Sequence, residues 1–212
     1  MSSQKSSRES RVSTGVPGFD PVLQGGYLPE TAALVRGPPG SGKSIFSLHF
    51  LGAGLDAGET GLYINLGEPE HYVADTARGF GIDVDALHFL NLSASGEQFQ
   101  GAETYTLFES SEVETPSLVE EIRTEIQEID PDRVVIDPVT EFRYLAPDQH
   151  QFRSQILGLV DFLKGSGATV LLTSQAADSM PDDDLQFLVD AVVNVGETLE
   201  RRVIRVSKFR GS

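Results

Sequence analysis

The octapeptide Gly37-Pro38-Pro39-Gly40-Ser41-Gly42-Lys43-Ser44 constrains this chain more than any other segment. It is a full G-x-x-x-x-G-K-S match in the setting the motif requires, with apolar Ala32–Val35 before it and Ile45-Phe46-Ser47-Leu48 continuing as a buried helix. Glycines 37, 40 and 42 let backbone N–H groups wrap a phosphate without Cβ clashes. The start of the following helix adds the positive end of its dipole. Lys43 is placed to reach β/γ-phosphates, and the Ser44 hydroxyl to complete an otherwise water-rich Mg²⁺ shell. An ordinary glycine turn between strand and helix has no use for that lysine, so the segment implies a nucleoside triphosphate as ligand.

The rest of the pattern supports an α/β domain with a mainly parallel sheet. Apolar runs at Ala32–Arg36, Gly61–Leu66, Leu87–Leu92, Arg133–Asp137 and Thr169–Thr173 read as strands, with amphipathic stretches between them. Thr115-Pro116 reads as N-cap and first-turn proline of a helix presenting Leu118, Val119, Ile122, Ile126 and Ile129, stopped by Pro131. Phe152, Ile156, Leu159, Val160 and Leu163 form a second helical face that ends at Gly165 and Gly167. Both faces are core. From Asp190 to Val206 the chain reads as two strands of a hairpin, and the polar stretch 93–114 as a long surface loop. Residues 1–12 read as a disordered arm before one domain over 13–212, with no internal repeat.

A phosphate-cradling loop needs a second carboxylate directed at Mg²⁺ from a neighbouring strand end. Arg133-Val134-Val135-Ile136-Asp137 supplies it, and Pro138 terminates the strand. A strand-end Asp also serves turns, but with this loop upstream the metal role is preferred for Asp137. Hydrolysis further needs a group to orient the attacking water. Glu68, just after Leu62–Leu66, falls at the same carboxyl edge and is the candidate base. Glu70 belongs to the next helix start, where acids are favoured by the dipole. Gln175, after Thr169–Thr173, is a candidate γ-phosphate sensor or simply a polar loop residue.

Composition removes competing classes. The 212 residues, 39% hydrophobic, suffice for one core. There is no Cys, hence no disulfide, thiolate nucleophile or Cys-based zinc site, and the four His lack metal-ligand spacing from one another. No apolar run approaches a membrane span, and Met1–Ser10 lacks a secretory signal, so a soluble cytoplasmic protein is expected. Sixteen Lys plus Arg against 32 Asp plus Glu give a net charge of −16, and only four of the cations are Lys. Such a composition resembles that of cytoplasmic proteins from salt-accumulating archaea, and it argues against a broad nucleic-acid surface.

The residues together resemble the KaiC/RadA branch of the RecA-type ATPases. Thr14-Gly15-Val16-Pro17-Gly18-Phe19-Asp20, with Leu23 and Gly25-Gly26, is similar to the family's opening motif. Gly61–Leu66 with Glu68 resembles its second core strand, and Arg78-Gly79-Phe80-Gly81 the end of the next helix. Val134–Asp137 resembles the magnesium strand, Leu171–Ser174 the sensor strand, and Lys208-Phe209-Arg210-Gly211-Ser212 the family's tail signature. The likeness covers nearly everything from Thr14 onward. It implies a RecA-like core, Mg·ATP as ligand, and homo-oligomeric rings, often hexamers, with ATP between neighbours. It also implies that Lys208 and Arg210 act in trans on phosphates held by the adjacent subunit, where an Arg stabilises the spreading charge.

Two departures stand out. Clock-type members carry a Glu pair after the second strand, whereas Gly67 precedes Glu68 here. The acceptor pair of the autophosphorylating half of KaiC corresponds to Gln186 and Phe187, which cannot take a phosphoryl group, and clock KaiC has two tandem domains. The expectation is a slow ATPase acting as a regulatory switch. Alternatives are a RadA-paralogue-like accessory protein binding single-stranded DNA through Arg143, Tyr144, Arg201, Arg202 and Arg205, and a nucleotide-dependent scaffold with vestigial hydrolysis.

Overall fold

Short apolar runs separated by amphipathic helices leave the chain one economical solution, a sheet covered on both faces. In the computed structural model, which describes residues 11–92, 114–175, 182–198 and 201–211, that sheet has seven strands. They are β1 (Ala32–Gly37), β2 (Gly61–Asn65), β3 (His88–Asn91), β4 (Arg133–Asp137), β5 (Thr169–Gln175), β6 (Ala191–Glu197) and β7 (Arg202–Phe209). Their spatial order is β3-β2-β4-β5-β1-β6-β7. The first six run parallel, and β7 returns antiparallel on β6 as the expected hairpin, reaching Phe209 rather than Val206.

Helices α1 (Lys43–Asp56) and α2 (Glu70–Gly79) cover one face. The other is covered by α3 (Glu114–Ile129), the short α4 (Phe142–Leu145) and α5 (Gln149–Gly165). Strand alternation divides the core accordingly. Leu62, Ile64, Val134, Ile136, Val170 and Leu172 pack under Ile122, Ile126, Ile156 and Leu163. Tyr63, Val135, Leu171 and Val193 face Phe46, Phe50, Leu51 and Val73.

The helix expected to start on a Thr115 cap starts at Glu114, so Thr115 and Pro116 lie in its first turn. First-turn N–H groups have no intrahelical partner, so a proline there forfeits none. The surface-loop expectation for 93–114 lies outside the described residues except for Glu114, which is helical. The folded body also begins before residue 13. Val12 exchanges backbone hydrogen bonds with Tyr27, and Arg11 Nη2 donates to Gly211 O at 2.7 Å. Residues 1–10 lie outside the described residues.

Candidate nucleotide site

In a parallel sheet the loops after the strands share one rim, and ligands bind there. β5 lies between β1 and β4, so the loop after β1 and the end of β4 stand on either side of it. A cavity of 440 Å³ opens between them, lined by Pro39, Gly40, Gly42, Lys43 and Ser44 together with Glu68, Asp137, Glu141 and Gln175. A shallower depression of Pro69, Tyr72 and Asp75 shares Glu68 and Thr76 with it and extends the cleft outward.

The loop has the form a phosphate requires. Gly40 and Gly42 hold φ of +77° and +97°, and a Cβ on either would meet nothing within 4 Å. Backbone angles, then, rather than crowding, select glycine at both positions. Gly42 caps α1, whose first N–H groups lack intrahelical partners. Gly37 serves a different purpose: a Cβ there would lie 2.0 Å from Val195 O on β6. The close approach of the two strands is by itself enough to require glycine here.

Lys43 is buried, and its Nζ donates to Gly37 O at 3.0 Å and Pro38 O at 2.9 Å. Burial pushes its ammonium below the ordinary lysine value, and nearby Asp137 only partly offsets this. A buried cation held by carbonyls alone is a receptor for an anion. The Ser41 hydroxyl is likewise buried without a partner. Cradle, cation, hydroxyls and carboxylate together fit a triphosphate with a divalent cation, which Ser44 and Asp137 could hold.

Asp137 is buried, and both its oxygens are engaged. Thr173 donates to Oδ1 and Tyr63 to Oδ2. Burial, reinforced by the Asp137 carboxylate, pushes the Tyr63 phenol well above its ordinary value, while the neighbouring Ser44 hydroxyl works the other way. Glu68 is set by Asn65, whose Oδ1 accepts from the Gly67 and Glu68 amides at 3.3 and 3.2 Å and whose Nδ2 donates to Glu68 O. Gln175 is the exposed last residue of β5, in register with Gly37.

Sequence reasoning missed Tyr63, Thr173, Asn65 and Glu141. Period-two alternation carried a signal for Thr173, since Leu171 and Val135 point to the α1 face and place Thr173 and Asp137 there as well. Glu141 follows β4 in a short 3₁₀ turn and brings a third carboxyl to the cavity beside Glu68 and Asp137, raised from its ordinary value by burial. The Gly67 departure has a local cause: a Cβ at Gly67 would lie 2.9 Å from Pro138 Cδ.

The structure does not bring Lys208 and Arg210 to this rim. Lys208 pairs with Val192, near the amino end of β6, and its Nζ donates to Gln186 O and Val189 O at 2.8 and 2.6 Å. Arg210, exposed, reaches Asp190 Oδ1 at 3.5 Å among the described residues. Of the cations proposed to contact DNA, Arg143 is paired with Asp184 at 2.8 Å and stacked on Phe152, so its charge is already spent within the fold. Among the described residues no group of three or more His, Asp or Glu could hold a metal by itself, and no helix is long and apolar enough to cross a membrane.

Comparison with known proteins agrees with this geometry. The family model described as "ATPase: KaiC" matches residues 12–212. A UPF0273 protein of Pyrococcus furiosus is 36% identical over 78% of this chain and 68% of its own length. Another, from Methanopyrus kandleri, is 33% identical over 95% of this chain and 84% of its own. The circadian clock protein KaiC3 of Synechocystis sp. is 27% identical over the whole chain, which spans 43% of that protein. A phosphate cradle, a strand-end Asp and a RecA-like sheet, matched by a family model over nearly their whole extent, establish that this chain belongs to the KaiC ATPase family.

Proposed function

We propose that this protein binds Mg·ATP and hydrolyses it slowly at interfaces between copies of itself, using the cycle to change assembly or partner binding. The observation that carries the reading is the convergence of Lys43, Ser44, Asp137 and Glu68 on one cavity of a size suited to a nucleotide. The P-loop amides and Lys43 bind and orient the phosphates. Ser44 and Asp137 would hold Mg²⁺, which would supply positive charge to offset that of the phosphates. Glu68 orients a water toward the γ-phosphorus and accepts its proton. The new P–O bond forms as the bond to the bridging oxygen breaks, and that oxygen leaves on ADP with the electron pair. Lys208 and Arg210 of a neighbouring copy supply positive charge to the transferring group.

Glu68→Gln tests the role of the base. The variant is expected to bind ATP as the wild type does and to lose turnover by a factor of about 10²–10⁴; wild-type turnover would remove the assignment. Lys43→Ala is expected to lose ATP binding. The net charge of −16 points to a salt-rich cytoplasm, so these assays belong in multi-molar KCl. A per-subunit rate that rises with protein concentration and ignores single-stranded DNA supports the interface reading. Strong stimulation by DNA would transfer the protein to recombination.

A further inference from the structure

We propose that Tyr63 and Thr173 are positioning residues that clamp the Asp137 carboxylate for a divalent cation. The inference rests on the reading of the cavity as a Mg·nucleotide site and adds to it two strand residues outside the loop, of which Tyr63 also lines the cavity.

The clamp follows from strand order. β4 lies between β2 and β5, so the end of β4 has a strand on either side. Tyr63 comes from β2 and Thr173 from β5, and each donates its hydroxyl to a different oxygen of Asp137. Tyr63, Thr173 and Asp137 are all buried, at 1%, 0% and 7% exposure. A phenol and an alcohol so deeply buried need a partner, and both have chosen the same carboxylate.

The chemistry of the donors matters as much as their number. Both are neutral, so they fix the plane of the carboxylate and leave its negative charge in place. An Arg or Lys in either position would have oriented Asp137 and neutralised it too. Each carboxylate oxygen accepts more than one hydrogen bond, so each keeps capacity for a metal or a metal-bound water. Residues that hold metal-site carboxylates in this way typically account for ten- to a hundredfold in metal affinity.

The experiment separates metal from nucleotide. Mn²⁺ is titrated into wild type, Tyr63→Phe, Thr173→Val and Thr173→Ser with a non-hydrolysable ATP analogue present, and free Mn²⁺ is followed by electron paramagnetic resonance. Binding of a fluorescent ATP analogue in excess chelator is measured in parallel. The clamp predicts that Tyr63→Phe and Thr173→Val each weaken Mn²⁺ by about ten- to a hundredfold, with metal-free nucleotide binding unchanged. Thr173→Ser, which keeps the hydroxyl, is expected to retain wild-type Mn²⁺ affinity. Equal Mn²⁺ affinity in wild type and Tyr63→Phe, with nucleotide bound, overturns the clamp alone. Equal loss of metal and metal-free nucleotide binding in Tyr63→Phe makes the contact merely structural and also overturns it. A wild-type chain that binds neither Mn²⁺ nor nucleotide overturns the site itself, and the clamp with it.

Discussion

Lys43 and Lys208 stand at opposite ends of the same sheet. Lys43 starts the helix at the carboxyl rim, just beyond the end of β1. Lys208 pairs with Val192, which in turn is in register with Leu34, three residues before Gly37. That level lies about 10 Å below the end of β1, two strands to the side. The tail is also tied down there, by the Arg210 amide to Asp190 O at 2.9 Å and by Arg11 to Gly211 O. A basic pair fixed at the far end cannot serve the phosphates of its own chain, yet it is presented at a sheet edge where another copy can meet it.

The consequence is testable by mixing two inactive proteins. Lys43→Ala is expected to lack a working cradle, and Arg210→Ala to lack the charge it donates. Each alone should be inactive. In a head-to-tail ring, random mixing at equal ratio leaves about a quarter of interfaces with an intact cradle facing an intact tail. Steady-state ATP hydrolysis of the mixture should therefore recover to roughly that fraction of wild type. No recovery, or full activity of Arg210→Ala by itself, would rule out action between subunits.

Gly67 and Pro138 should behave as a coupled pair. A Cβ at Gly67 would meet Pro138 Cδ at 2.9 Å, tighter than side chains normally approach. Gly67→Ala is expected to cost about 1–3 kcal/mol through this overlap. In a Pro138→Ala background, which removes Cδ, most of that cost should disappear. Chemical denaturation of the four proteins gives the coupling energy directly; strictly additive effects would mean that the contact is not what keeps position 67 free of a side chain.

How far the sequence spoke depends on how local each feature is. The loop, its helix and the strand-end Asp137 are contiguous patterns whose physics requires no knowledge of neighbours. The crowding at Gly37 is not legible locally, because Val195 O, which causes it, lies more than 150 residues along the chain. The donors on Asp137 were invisible for the same reason: nothing local says that β2 and β5 flank β4. Glu141 carries no local signal, since a carboxyl in the turn after Pro138 looks the same whether or not a cavity opens beside it. Composition places Arg11 in the arm, whereas its guanidinium donates to Gly211 O near the other end of the sequence.

Glu141 makes a prediction of definite sign. Burial raises its carboxyl above the ordinary value, so the folded state holds the proton more tightly than the unfolded chain does. The favourable contribution is complete below the unfolded value of about 4.3 and is lost as pH rises through the folded one. At neutral pH the buried charge is a net cost. Glu141→Gln is therefore expected to unfold at higher temperature than wild type at pH 7, with the gap closing as pH falls below about 4. A gap that is independent of pH, or that widens in acid, would contradict it.

Asp190 should show the opposite dependence. Burial alone would raise its carboxyl, but hydrogen bonds from Lys164 Nζ and the Ala32 amide, with the charges of Lys164 and Arg210, outweigh that and hold it below the usual range. The contacts at 2.8 Å from Lys164 and 3.1 Å from Ala32 tie α5 and β1 to the start of β6, while Arg210 brings in the tail. Stability from a depressed carboxyl is present above the unfolded value of about 3.9 and is lost as pH falls through the folded one. Asp190→Asn keeps the shape and one acceptor oxygen but removes the charge. It is expected to cost about 1.5–3 kcal/mol at pH 7, the range for hydrogen bonds to a charged group. The difference from wild type should shrink below pH ~4 as wild-type Asp190 takes up its proton. Denaturant titrations at the two pH values measure this, and a penalty that persists undiminished in acid would show that shape, not charge, is what Asp190 contributes.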